Sequence, residues 1–232
     1  MNTRATRLLA ALRILTLVAV ASLAAALSFA MLALPVPRTR LAASVDAQLA
    51  ASGVAHPVTA VLLNFRAYDT LLEVSVLLLA AMGVLALQRT AGDTVAPPDV
   101  TAGPVVGGLL HLLVPLLVML AGYLLWAGAN GPGGAFQSGA MLAATAVLLR
   151  LAGRWTPVLP LRPLARAGLI VGLVVFLAVA VGAGLAGGAL LEYPRAWAGV
   201  LILAVEAALT VSIGLALFGF FAGTPAHGRD RG

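Results

Sequence analysis

Residues 14–36 contain no charged side chain, and several more long apolar runs follow along the chain. This continuity constrains the fold more than any other feature. A helix needs about 20 apolar residues to cross a bilayer, and in hydrocarbon only helices and closed barrels satisfy every backbone polar group. A barrel would show short alternating strands instead of uninterrupted runs. The chain is therefore expected to be all-α and polytopic. Composition agrees, with 62% hydrophobic residues, 9% charged residues and a mean hydropathy of +1.07. An average soluble domain carries about a quarter charged residues.

Six transmembrane spans can be drawn, over residues 8–34, 69–87, 105–128, 135–151, 164–190 and 197–221. Pro35 and Pro37 close the first, Pro97 and Pro98 mark a linker, and Pro194 sits in a short turn. Arg4, Arg7 and Arg13 before the first run imitate a signal peptide, but residues 14–36 outrun the ~7–15 residues of a signal core. That segment is expected to stay as a membrane helix.

All 14 basic residues are arginine. With the N-terminus in the cytoplasm, the inside segments hold Arg4, Arg7, Arg13, Arg89, Arg150, Arg154, Arg162, Arg166, Arg229 and Arg231. The outside segments hold only Arg38, Arg40, Arg66 and Arg195. This satisfies the positive-inside rule and predicts both termini cytoplasmic. The formal charge of +6 does not point to nucleic acid, because the arginines are scattered at helix ends and form no compact stripe. The chain divides into residues 1–90 with two spans, a polar linker at 91–104, residues 105–222 with four spans, and a polar tail at 223–232.

Polar residues within the spans carry the functional signal, since each must face protein or water. Arg66, Asp69 and Glu73 are spaced to share one helix face. Asp69 lies near the interface and reads as a helix-start residue paired with Arg66. Glu73 lies ~6 Å deeper and must pair, sit in a wet cavity or hold a proton. Glu206 is ~14 Å into the last span, with Thr210 one turn on and able to donate to it. It is either an ionisable functional group or a neutral interhelical lock. His111 precedes Pro115 by one turn, and the proline frees the His111 carbonyl. That histidine either relays a proton or merely packs.

Between the third and fourth spans lies "NGPGGAFQSG", residues 130–139. Gly131, Gly133 and Gly134 open backbone conformations closed to other residues. The stretch is either a tight hairpin or backbone shaped for a task. Other chemistry lacks its residues. Cysteine is absent, which excludes thiolate ligands and disulfides. No phosphate-binding loop appears. His56, His111 and His227 have no metal-ligand spacing, and no Ser–His–Asp set can be assembled. No catalytic residue, metal site or cofactor is expected.

Two stretches resemble known families. "NGPGGAFQSGAMLAA" resembles the N-x-P-G-G-G-F-Q-G-G motif of the MnhB family, a component of multisubunit Mrp-type cation/proton antiporters. Asn130, Pro132, Gly133, Gly134, Phe136, Gln137 and Gly139 match it, while Ala135 and Ser138 replace glycines and Ala129 stands where histidine is common. "VLLNFRAYDTLLEVSVLLLAAMGVLAL" resembles the V-D-F-R-G-F-D-T-L-G-E block of the MbhE-type module. Phe65, Arg66, Asp69, Thr70, Leu71 and Glu73 match, with Ala67, Tyr68 and Leu72 departing.

The resemblance implies a subunit of a large assembly that exchanges Na⁺ for H⁺ in the cell membrane, with other Mrp-type antiporter subunits as partners. Glu73, Asp69, Arg66, Glu206 and His111 are then candidates for an ion or proton path. The alternative it implies is a membrane-arm subunit of an energy-converting hydrogenase or related redox-driven ion pump.

Overall fold

In a computed structural model of the chain, residues 3–34, 41–91, 103–154, 163–186, 188 and 190–223 are described. Among them the regular structure is helical: α1 (Thr3–Leu32), α2 (Leu41–Gln48), α3 (Pro57–Ala60), α4 (Ala67–Ala91), α5 (Pro104–Ala127), α6 (Ala135–Leu151), α7 (Pro163–Leu185) and α8 (Ala198–Gly223). A 3₁₀ turn at Leu49–Ala51 and a π turn at Val61–Phe65 complete the connector before α4. Pro35, Pro37, Arg38 and Arg40 lie outside the described residues. So do linker residues 92–102 with Pro97 and Pro98, Arg162, and tail residues 224–232 with His227, Arg229 and Arg231.

The expected spans are present as helices. Five of them, α1, α4, α5, α7 and α8, are long and apolar enough to cross a membrane, while α6 is apolar but shorter. Its 17 residues reach ~25 Å, less than the ~30 Å hydrocarbon core. The chain is a multi-pass membrane protein of all-α class. Hydropathy carries the fifth span to residue 190, but α7 stops at Leu185. Beyond it Leu191 adopts φ 66°, and Leu191 and Tyr193 turn back into the apolar core. The Gly-rich apolar segment before them reads as helix by hydropathy alone.

The chain forms two compact units, residues 1–41 and residues 42–232. The first contains α1, whose apolar side chains from Leu12 to Leu32 are exposed. In the second, α8 is the hub, with α4, α5, α6 and α7 packed on it. Ile202, Val205, Leu209 and Ile213 of α8 are fully buried with Phe176 of α7. Leu63, Ala67 and Val74 join the same cluster from the connector and α4.

Between helices in lipid, close van der Waals packing and hydrogen bonds replace the hydrophobic drive. The α7–α8 contact shows both. Gly168 and Gly172 give α7 a flat face against Leu215 and Leu209. At that face the Ser212 hydroxyl donates to the Gly168 carbonyl at 2.9 Å and accepts the Gly172 amide at 2.8 Å. It stands between a carbonyl and an amide that an undisturbed helix would join directly.

Candidate functional site

The loop between α5 and α6 is compact because its glycines permit close backbone approach. The Gly134 amide donates back to Leu124 O at 2.8 Å, and the Asn130 and Gly131 amides both donate to Ala127 O. A β-carbon at Gly128 would stand 2.7 Å from Gly134 Cα, and one at Gly133 would collide with the Leu124 carbonyl. Gly134 also has φ +105°, a conformation open to glycine and strained for other residues. One turn into α6, the buried Ser138 hydroxyl donates to Ala121 O at 2.7 Å and ties α6 to α5.

The connector before α4 fastens onto this loop. Ala55 N–H and His56 N–H both donate to Ala129 O, at 2.9 and 3.0 Å. The Thr59 hydroxyl donates to Gly128 O. Gly53 lies against Ala198 and Gly199 at the start of α8, while Ser52 is buried and its carbonyl accepts Asn64 Nδ2 at 2.9 Å. Ala129, which replaces a histidine common in the resembling family, thus contributes its main-chain oxygen to this joint.

Glu206 reaches the loop from α8. It is 3% exposed, its carboxyl accepts the Ala135 amide, and a β-carbon at Gly134 would stand 2.8 Å from Oε1. Oε2 is buried without a hydrogen-bond partner. The carboxyl therefore caps the N-terminus of α6, where unpaired amides and the positive end of the helix dipole favour negative charge. Thr210, spaced to donate to that carboxyl, does not. Its hydroxyl donates to the Glu206 main-chain oxygen at 2.9 Å, since a threonine in a helix readily bonds the carbonyl one turn back.

These contacts fix the depth of the loop. Gly53 touches the first turn of α8, whereas Glu206 is eight residues, ~12 Å, farther along. The α5–α6 turn is recessed by that amount from the end of α8, and the connector lies above it. A short α6 follows from this recess. Irregular backbone at such depth is tolerated where it faces protein, as at the buried Gly128 and Gly134.

The motif has two sides. Gly134 and Gly139 are buried inward; Gly139 packs on Ile213 and Thr210 O. Asn130, Pro132, Phe136 and Gln137 lie on its outer side, with Phe136 and Gln137 exposed. Arg66 and Asp69 form the expected ion pair, at 2.5 Å, and both are largely exposed. Next to them Thr70 is buried and donates to Leu62 O. Glu73 is exposed and does not approach Glu206's side of the bundle core. His111 is exposed as well, ~20 Å along α5 from Leu124, so it belongs to another layer. Among the described residues, no three of His, Cys, Asp or Glu gather to hold a metal.

Sequence inspection missed the main-chain groups that complete the site, Gly128 O, Ala129 O and the Ala135 amide, and Thr59, which donates to the first of them. It also missed Tyr193. Its hydroxyl, in the turn before α8, is buried without a partner, and burial pushes it up from 10.0 to about 12.

Comparison with known proteins gives two family matches. Residues 105–223 match the family described as a domain related to the MnhB subunit of Na⁺/H⁺ antiporter. Residues 8–101 match the MbhE family of MBH subunits. No curated protein matches the chain. Among solved structures, a chain of the membrane-bound sulfane sulfur reductase (MBS), an archaeal respiratory membrane complex, is 22% identical with a TM-score of 0.68. That match covers 91% of this chain and 97% of the other. A chain of the Mrp complex from Dietzia sp. DQ12-45-1b is 23% identical with a TM-score of 0.60. It matches over 100% of this chain, which spans only 27% of that longer one. At these identities the two structures establish a shared fold.

Proposed function

The chain belongs to the family of domains related to the MnhB subunit of Na⁺/H⁺ antiporters, and from that premise we infer that it is a membrane subunit of a multisubunit Na⁺/H⁺ antiporter. It works within its complex, where the proton-motive force drives sodium out. The observation that carries this reading is the match over residues 105–223, a stretch that contains both the α5–α6 loop and Glu206. The fold shared with a chain of an Mrp complex supports it.

We place the chain with both termini in the cytoplasm, as the arginine distribution favours. Glu73, with Asp69 and Arg66, is assigned to the ion path at the boundary with a neighbouring subunit. An exposed carboxyl within a span has to meet protein or water. Phe136 and Gln137, exposed in the first turn of α6, belong to the same kind of boundary. His111 is the remaining candidate for proton handling. The chain itself is not catalytic in this reading, and any redox centre belongs to other subunits.

The test uses the whole operon in antiporter-deficient cells. Removing this chain is expected to abolish sodium tolerance and vesicle antiport. Glu73→Ala is expected to abolish antiport in a complex of normal composition. Unchanged antiport in that variant, with normal assembly, would remove Glu73 from the path.

One observation favours a second reading. The match to the MBS chain covers 97% of that chain, so a nearly complete counterpart exists in a respiratory complex. A redox-driven pump is therefore the alternative. Purifying the complex and identifying its subunits by mass spectrometry decides between them. A partner carrying nickel–iron or iron–sulfur ligands selects the redox pump, and antiporter subunits alone select the exchanger.

A further inference from the structure

We propose that Glu206, seated on the first turn of α6, is a proton-binding site of this subunit: its carboxyl takes up and releases a proton while the α5–α6 loop holds it. The proposal rests on the antiporter reading and deepens it by naming where in this chain a proton is held.

The site is built from both sides. Ala135, Ile202, Val205 and Leu209 of the main apolar cluster exclude water around a residue that is only 3% exposed. Gly134 admits the carboxyl, having φ +105° and no β-carbon to meet Oε1 at 2.8 Å. An ionised carboxylate offers two acceptor oxygens, and this one receives the Ala135 amide while Oε2 receives nothing. The amide and the N-terminal end of α6 favour the anion. The bare oxygen, far from water, favours the bound proton. With neither state satisfied throughout, the group is poised between them.

On the connector fastened to the loop, His56 is half-buried, with its ring near the Thr59 hydroxyl. On α4, Asp69 is paired with Arg66 and Glu73 is exposed. On α5, His111 is exposed. Arg150 lies at the far end of α6, Arg166 is exposed near the start of α7, and Tyr193 is the buried hydroxyl in the turn before α8.

The test is infrared difference spectroscopy, acid minus alkaline, on the purified complex. The wild-type complex is expected to show the carbonyl stretch of a protonated carboxyl. Glu206→Gln keeps the shape and an acceptor for the Ala135 amide but cannot ionise, so the band should be lost. Glu206→Asp, drawn back from that amide, should keep the band at a shifted position. An identical band in the wild type and Glu206→Gln overturns the proposal. Should Glu206→Gln fail to assemble, isotope labelling of glutamate in the wild type and in Glu206→Asp takes its place. No glutamate-derived band, or an unmoved band in Glu206→Asp, overturns the proposal. Antiport by the wild-type complex is scored separately. Its absence sinks the antiporter reading, while the band alone judges the proton site.

Discussion

Glu73 and Glu206 are the two glutamates that sit within apolar spans, and nothing in their immediate sequence separates them. The structure does. Glu206 faces the centre of the chain's own bundle, where Gly134 and the Ala135 amide receive it. Glu73 faces away, on an exposed side of α4 shared with Leu72, Val76 and Leu79. A carboxyl enclosed by its own subunit is part of that subunit's fold. One that faces out in a membrane has to be satisfied by a neighbouring subunit or by water. The contrast assigns one group to the chain and the other to the assembly.

The sharpest way to break this contrast is Gly134→Val. It forces a β-branched residue to φ +105° and drives a methyl-bearing carbon onto Glu206 Oε1. Strain of ~1–3 kcal/mol and a displaced buried carboxyl together should exceed about 4 kcal/mol. Detergent-extracted complex should fall at least tenfold on a sizing column. A normal yield would mean the loop does not close on Glu206.

Next is the pair Glu206→Leu and Glu73→Leu. The first strands a buried amide, at a cost of ~1–3 kcal/mol, and should lower the thermal midpoint of the complex. The second should leave that midpoint in place. Equal losses of stability from both would erase the inside–outside distinction.

A smaller effect is expected from Ser212→Ala. Interhelical hydrogen bonds in membranes contribute on average ~0.6 kcal/mol. The freed Gly172 amide can also close directly on Gly168 O, so destabilisation should stay near ~1 kcal/mol. The least is expected from Tyr193→Phe, which removes an unpartnered hydroxyl and should be neutral or stabilising near neutral pH. In the folded chain that hydroxyl keeps its proton up to about 12, against 10.0 normally. The unfolded chain therefore loses protons first, and stability falls as pH rises from 10.0 towards about 12. Denaturant titrations on either side of the lower value should show this fall in the wild type and a lesser one in Tyr193→Phe.

Hydropathy made the spans legible, including the short fourth one. Their packing partners were not, because these helices are apolar on every face and periodicity then carries no inside or outside. The end of α7 was overrun for a related reason: a Gly-rich apolar sequence suits a helix and a turn equally. The Arg66–Asp69 pair was readable from spacing, being local. The receptor for Glu206 was not, because it consists of backbone groups brought from a distant part of the chain. Glycines in the loop signalled close approach, but not what approached.

Ser212 has a consequence for movement. A hydroxyl lodged between Gly168 O and Gly172 N–H pins α7 to α8 in one register. Sliding either helix by a turn, ~5.4 Å, would break both bonds where no water can replace them. The two bonds thus favour this register of α7 on α8 by about the ~1 kcal/mol expected of Ser212→Ala.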